Sequence, residues 1–281
     1  MSTRIELPDW RQLGQLGDDE LPLLETALLI ARDEYPELDA NAYIAEIDAF
    51  AAALAAQLDR DLDLPARLTA INRYLFSELG FAGNDGDYDD PRNSYLNQVL
   101  ERRLGIPISL AFVQIAVMRR LGMPLDGVSF PGHFLVRLPV DDGLLILDPF
   151  NQGRPVSAEE LRDRASSHMG GQHPDDSELL RILAPASHRA MLVRMLRNLK
   201  GLYLESQDWE RVARSADRLL AIAPDTADAL RDRGLAYHAI GHAAGARSDL
   251  GRYLQLLPEA GDRDAIRTTL IELGGQRSRL N

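Results

Sequence analysis

Apolar residues recur every three or four positions through most of the first ninety residues, and this spacing predicts three amphipathic helices. Over 19–34 the shared face is Leu21, Leu24, Leu28 and Ala31, and over 41–58 it is Tyr43, Ile47, Phe50, Leu54 and Leu58. Over 65–79 it is Leu68, Ile71, Leu75 and Leu79, with Pro65 suited to the first turn. The run FAGNDGDYDDPRN (81–93) breaks the pattern and predicts a loop. Its carboxylates invite comparison with a calcium loop, but it has no glycine at the sixth position and no glutamate at the twelfth.

A short helix is predicted over 94–104, then GIP (105–107) interrupts, then a second helix runs over 109–121. That second helix is apolar on almost every side until Arg119 and Arg120, so it belongs inside the domain. Three strand-like runs follow, 127–130, 133–138 and 144–147. They are separated by Pro131-Gly132 and by PVDDG (139–143), which carries the hairpin-favouring pair Asp142-Gly143. A buried helix followed by a small antiparallel meander predicts an α+β core. Residues 162–178 are polar and glycine-rich and predict an exposed loop. His168 and His173 lie in it without a partner at ligand spacing, so no metal is expected.

From Ser187 onward the pattern is helical again and repeats itself. The stretch 198–225 resembles 231–259, with Gly201 matching Gly234, Ala213 matching Ala246, and Pro224 answering Pro258 with a one-residue slip. Small residues at the first two positions predict close approach of paired helices. The pattern resembles two tetratricopeptide repeats followed by a capping helix over 262–273, with Asp262 placed for its N-cap. Two repeats fall short of the three or so that stand alone, so this array is expected to lean on the preceding domain. The expected division is 1–186 and 187–281.

Composition narrows the function classes. The chain has 281 residues, a formal charge of −12 and no cysteine, which excludes disulfides, thiolate metal sites and a Cys nucleophile. Residues 1–90 carry 20 acidic and 6 basic side chains, and no basic stripe with interleaved aromatics follows, so no nucleic-acid partner is expected. No apolar run is long enough to span a membrane and the start, MSTRIELPDW, has no secretory pattern, so the expected location is cytoplasmic. Nucleotide and zinc-protease motifs are absent, and no cofactor is expected.

Chemistry concentrates around the core helix. Ser109 opens it, His133 follows Pro131-Gly132, and Asp148 ends the last strand before Pro149. A hydroxyl, an imidazole and a carboxylate are the types needed for a nucleophile, its base and the group orienting that base. Backbone N–H groups of residues 109–111 are candidate oxyanion donors. Each residue also has an ordinary reading. Ser109 is placed as an N-cap two residues after Pro107, His133 as a buried histidine bonded to a carboxylate, and Asp148 as a turn cap. Asn93, Tyr95 and Asn97, with Arg92 and Gln98, form a polar stretch before the core helix, and Asn151 and Gln152 follow Asp148. Of these, Asn93, Tyr95, Asn97 and Asn151 are expected to line the cleft.

The segments GIPISLAF, FPGHFLVR and LDPFNQG, in that order, closely resemble the SirB family of transglutaminase-like proteins. The resemblance covers roughly residues 20–165, and such proteins often carry tetratricopeptide repeats afterwards. It implies a papain-like α+β core in which a Cys at the start of the buried helix is the nucleophile and a His and an Asp complete the triad. His133 and Asp148 match, while Ser109 stands where the Cys would be. A hydroxyl is far less acidic than a thiol, so it needs a general base during attack. The leading expectation is therefore a protein-interaction or regulatory protein that binds a protein or peptide through its helical repeat. The alternative is a Ser-His-Asp hydrolase or acyl-transferase acting on an amide or ester of a protein or peptide. A third reading is a scaffold whose acidic helices mask a partner.

Overall fold

The computed structural model describes residues 7–275 except 60 and 142. It divides into two compact units, Gly17–Leu192 and a second made of Asp9–Leu16 with the chain from Val193 onward. The division falls inside a helix rather than at residue 187. Residues 9–16, which the sequence reading left with the first domain, pack with the repeat. Here α1 (Trp10–Leu13) buries Leu13 completely, and a Cβ on Gly14 would stand 2.5 Å from the carbonyl oxygen of Ala221.

The first unit begins with α2 (Leu23–Arg32), α3 (Ala40–Gln57) and α4 (Leu64–Asn72). Asp39 and Asp63 cap α3 and α4 through their carboxylates. A π-helical turn, Arg73–Glu78, continues α4. The stretch expected to be a plain loop contains β1 (Ala82–Gly83). After α5 (Leu96–Arg102), β1 pairs in parallel with β2 (Leu104–Gly105). Arg103, between α5 and β2, holds φ at 60°, a conformation that costs a non-glycine residue energy. Its guanidinium lies 5.0 and 4.8 Å from the Phe50 and Phe81 ring centres and bonds Glu46 at 2.8 Å, which secures the turn.

That turn delivers the core helix α6 (Pro107–Arg120). Nearly every side chain from Pro107 to Met118 is buried, as the pattern predicts, at about 1.5–3 kcal/mol for each large apolar residue. A four-stranded antiparallel sheet follows in the order β3 (Asp126–Val128), β4 (Leu135–Val140), β5 (Gly143–Asp148), β6 (Arg154–Pro155). Val140 pairs with Gly143; Asp142 of the expected Asp-Gly turn lies outside the described residues. β4 packs on α6. Leu135, Ile146, Val128 and Phe130 pack with Leu161 and Ala165 of α7 (Ala158–Ser166), Leu179 of α8 (Asp176–Ile182) and its C-cap Leu183.

Over 162–178 the expected exposed loop is found at 167–175, but its two ends are helical, in α7 and α8. Ser157 accepts from the Glu160 N–H, and Asp175 and Glu178 cap each other reciprocally. Both S-x-x-E and D-x-x-E were present in the sequence, and their low hydrophobicity hid the helices.

The second unit takes up α9 (His188–Glu205) from Val193 and continues through α10 (Trp209–Ile222), α11 (Ala227–Ala239), α12 (Ala243–Leu256) and α13 (Arg263–Gly275). A Cβ on Gly234 would meet Leu250 Cγ at 2.7 Å, so α11 and α12 approach as closely as expected. Gly201 does not serve this purpose: a Cβ there would meet nothing within 4 Å. Lys200 is buried, with Nζ 2.9 Å from Asp228 and 2.6 Å from Asp232. Among the described residues no helix is long and apolar enough to cross a membrane.

Candidate functional site

His133 is carried by the turn that leads into β4, its N–H bonded to the Phe130 carbonyl at 3.1 Å. Asp148 ends the neighbouring antiparallel strand β5 and caps a 3-10 turn, Pro149–Asn151. The β4/β5 register, with Val136 opposite Leu147, therefore brings together two residues fifteen positions apart. The imidazole Nε2 lies 2.9 Å from Asp148 Oδ1.

The carboxylate is fully buried and well supplied with donors. Asn151 Nδ2 donates to Oδ2 at 2.8 Å and Arg164 Nη1 donates to the same oxygen at 2.9 Å. Burial pushes the Asp148 carboxyl up, but the hydrogen bond and charge of His133, with Arg164 and Asn151, outweigh it. They hold the group well below the usual carboxylate range. An ionised carboxylate only accepts, so Nε2 carries the hydrogen of this bond. His133 is 20% exposed and lines an open cavity of about 360 Å³ with Asn151, Arg164, Ser167 and His168. Phe150 meets the His133 ring edge-on at 6.1 Å, and Tyr88 meets Phe150 at 5.9 Å.

Ser109 is placed differently. The helix starts earlier than its expected N-cap role requires: Ile106 is the N-cap, Pro107 the first helical residue and Ser109 the third. Its hydroxyl accepts the Ile106 N–H at 3.0 Å, donates to the Asn93 carbonyl at 2.6 Å, and lies 3.1 Å from the Ile106 carbonyl. The group is fully buried, and none of its hydrogen bonds reaches His133. A hydroxyl has one proton, and here a carbonyl takes it. The expected oxyanion donor Leu110 N–H is also engaged, bonding the Ile106 carbonyl at 3.1 Å as the first turn of the helix.

Of the residues expected to line the cleft, Asn151 borders the His133 cavity and three do not. Asn93 is a buried hub, donating to the Asp87 carbonyl at 2.7 Å and accepting from Asn84 at 3.0 Å and Arg102 at 3.2 Å. Tyr95 is buried edge-on to Tyr35 at 5.6 Å, and Asn97 is buried in α5. Arg164 was missed, because its segment read as a loop; recognising the Ser157 cap would have placed it on a helix. The constellation is an imidazole held by a buried carboxylate at the edge of a cavity, with the Ser109 hydroxyl bonded to backbone groups instead.

The pattern of the transglutaminase-like superfamily matches residues 41–197, and a tetratricopeptide repeat pattern matches 199–270. A UPF0162 protein of Xylella fastidiosa is 56% identical over 277 residues, covering 99% of both chains. The chain belongs to the UPF0162 family within the transglutaminase-like superfamily. A second UPF0162 protein, from Pseudomonas aeruginosa, is 32% identical across 95% of this chain and 96% of its own. The similarity extends to the mouse F-box only protein 21, 33% identical over 186 residues, which are 62% of this chain and 28% of that one. No solved structure matches. For this UPF0162 protein the α+β architecture with a helical repeat behind it agrees with both matched patterns.

Proposed function

We propose that this UPF0162 protein is a cytoplasmic interaction or regulatory protein of the SirB type. In this reading its transglutaminase-like domain has lost the nucleophile and its helical repeat engages a protein or peptide partner. The observation that carries the reading is the Ser109 hydroxyl, which donates its O–H to the Asn93 carbonyl and accepts the Ile106 N–H. Activation by His133 would require breaking both bonds inside a fully buried site. The absence of any cysteine removes the thiol alternative. The intact His133–Asp148 pair favours a second reading, a Ser109-dependent hydrolase or acyl-transferase.

Two measurements separate them. A fluorophosphonate probe applied to the full chain and to Ser109→Ala between pH 6 and 9 is expected to give no Ser109-dependent adduct. A labelled Ser109 with matching ester hydrolysis overturns the interaction reading in favour of the enzyme. Crosslinking in a cell extract is expected to capture a partner through residues 187–275. If every captured protein depends only on the first unit, the repeat has no such role.

A further inference from the structure

The repeat unit holds a second cavity, of about 470 Å³, remote in sequence from the dyad and walled on one side by α1. Four arginines line it, Arg11, Arg218, Arg233 and Arg252, against two aspartates, Asp9 and Asp217. Asp249 and Asp225 also bond Arg233 and Arg252, so the cavity is distinguished by the accessible donors of Arg11 and Arg252 rather than by a net charge. Both aspartates are engaged. Asp9 caps α1 by accepting the Arg11 backbone N–H at 2.7 Å, and Asp217 accepts from Arg218 at 3.2 Å and Arg233 at 2.7 Å.

Two of the guanidiniums are held in place from behind. Arg233 bonds Asp249 through Nε and Nη2 at 2.7 and 2.9 Å, and Arg218 lies over the Trp10 ring, 5.1 Å from its centre. The other two are accessible. Arg252 is 50% exposed and uses one N–H on Asp225, which is itself 82% exposed, and Arg11 is exposed. A guanidinium offers five N–H donors in a plane that matches a carboxylate or phosphate, so Arg252 alone has four to spend. The cavity volume suits a small ligand or a pair of side chains.

We infer that this cavity is an oxyanion-binding site, recognising carboxylate or phosphate groups through Arg11 and Arg252 over a floor set by Trp10, Arg218 and Arg233. The inference deepens the interaction reading by naming the ligand chemistry at the repeat. Its test uses defined probes and no cellular partner, so its failure leaves the crosslinking result standing.

Trp10 is the natural reporter, because Trp209 is the only other tryptophan. In full-length Trp209→Phe protein at low ionic strength, Trp10 fluorescence is followed during titration with an Asp/Glu hexapeptide and, separately, with pyrophosphate. A saturable change is expected with at least one. Peptide alone identifies an acidic protein segment as the source, and pyrophosphate alone identifies a free phosphate. Arg11→Ala and Arg252→Ala, both at exposed side chains, are expected to weaken binding about tenfold or more with the thermal midpoint unchanged. No saturation with either probe up to about 10 mM, or equal affinity in both variants, overturns the inference; that ceiling is the weak limit of specific binding.

Discussion

At the scale of single residues, Ser109 and Asp148 show how the same side chain reads differently once its partners are known. Removing the Ser109 hydroxyl leaves a buried N–H and a buried carbonyl unpaired, so Ser109→Ala is expected to lose about 1–3 kcal/mol in urea denaturation. Asp148 accepts four hydrogen bonds from three residues, and Asp148→Asn is expected to cost about 3 kcal/mol, because it leaves Arg164 without its buried counter-charge. The sign of the pH effect follows from the lowered carboxyl. The unfolded chain binds that proton more readily than the folded one, so stability is complete above about pH 4 and falls as acid is added. Glu160, held at about 2 by its hydrogen bond to Arg154 with Arg164 behind it, adds to the same slope. Thermal midpoints between pH 5 and pH 3 should therefore drop less in Asp148→Asn than in the parent.

At the scale of elements, close approaches decide which glycines matter. Gly153 holds φ at 68°, donates its N–H to the Asp148 carbonyl at 2.8 Å and gives its own carbonyl to Asn72 at 2.7 Å. A Cβ there would stand 2.5 Å from Asn72 Oδ1 and 2.7 Å from Phe76 Cε2. Gly153→Ala is expected to destabilise by about 1–3 kcal/mol in denaturant melts and to shift the His133 imidazole resonances, because the turn that holds Asp148 must move. The two matched glycines of the repeat make a paired test. Gly234→Ala crowds Leu250 and should destabilise, whereas Gly201→Ala meets open space in a helix and should stabilise by about 0.5–1 kcal/mol. Periodicity located both glycines, but one-dimensional self-similarity carries no information about which neighbour stands opposite. The same limit concealed α7 and α8, whose caps were legible while their few apolar residues were not.

At the scale of the whole molecule, the chain order and the packing order differ. Residues 9–16 belong with a unit whose other members begin at 193, and Leu13 is the buried anchor of that segment. Leu13→Ala is expected to lower the stability of the repeat unit by about 2–4 kcal/mol, read from Trp209 fluorescence during urea unfolding. A dependence confined to the first unit's transition would place the segment elsewhere. The acidic excess of residues 1–90 lies largely at exposed positions in turns, loops and helix caps, where charge governs solubility and association more than fold.

Local patterning along the chain was sufficient for the three helices α2 to α4, the buried α6, the antiparallel meander and the two-repeat character of the C-terminal part. These follow from apolar periodicity and turn residues, which act over a few positions. The pairing of His133 with Asp148 was foreseen from residue types and family resemblance, and the strand register realises it. Three features were settled only by folding: the hydrogen bond from the Ser109 hydroxyl to the Asn93 carbonyl, the arrival of Arg164 at Asp148, and the docking of α1 on α10. Each joins residues far apart in sequence, and a hydroxyl or guanidinium takes whichever partner the packing brings within about 3 Å.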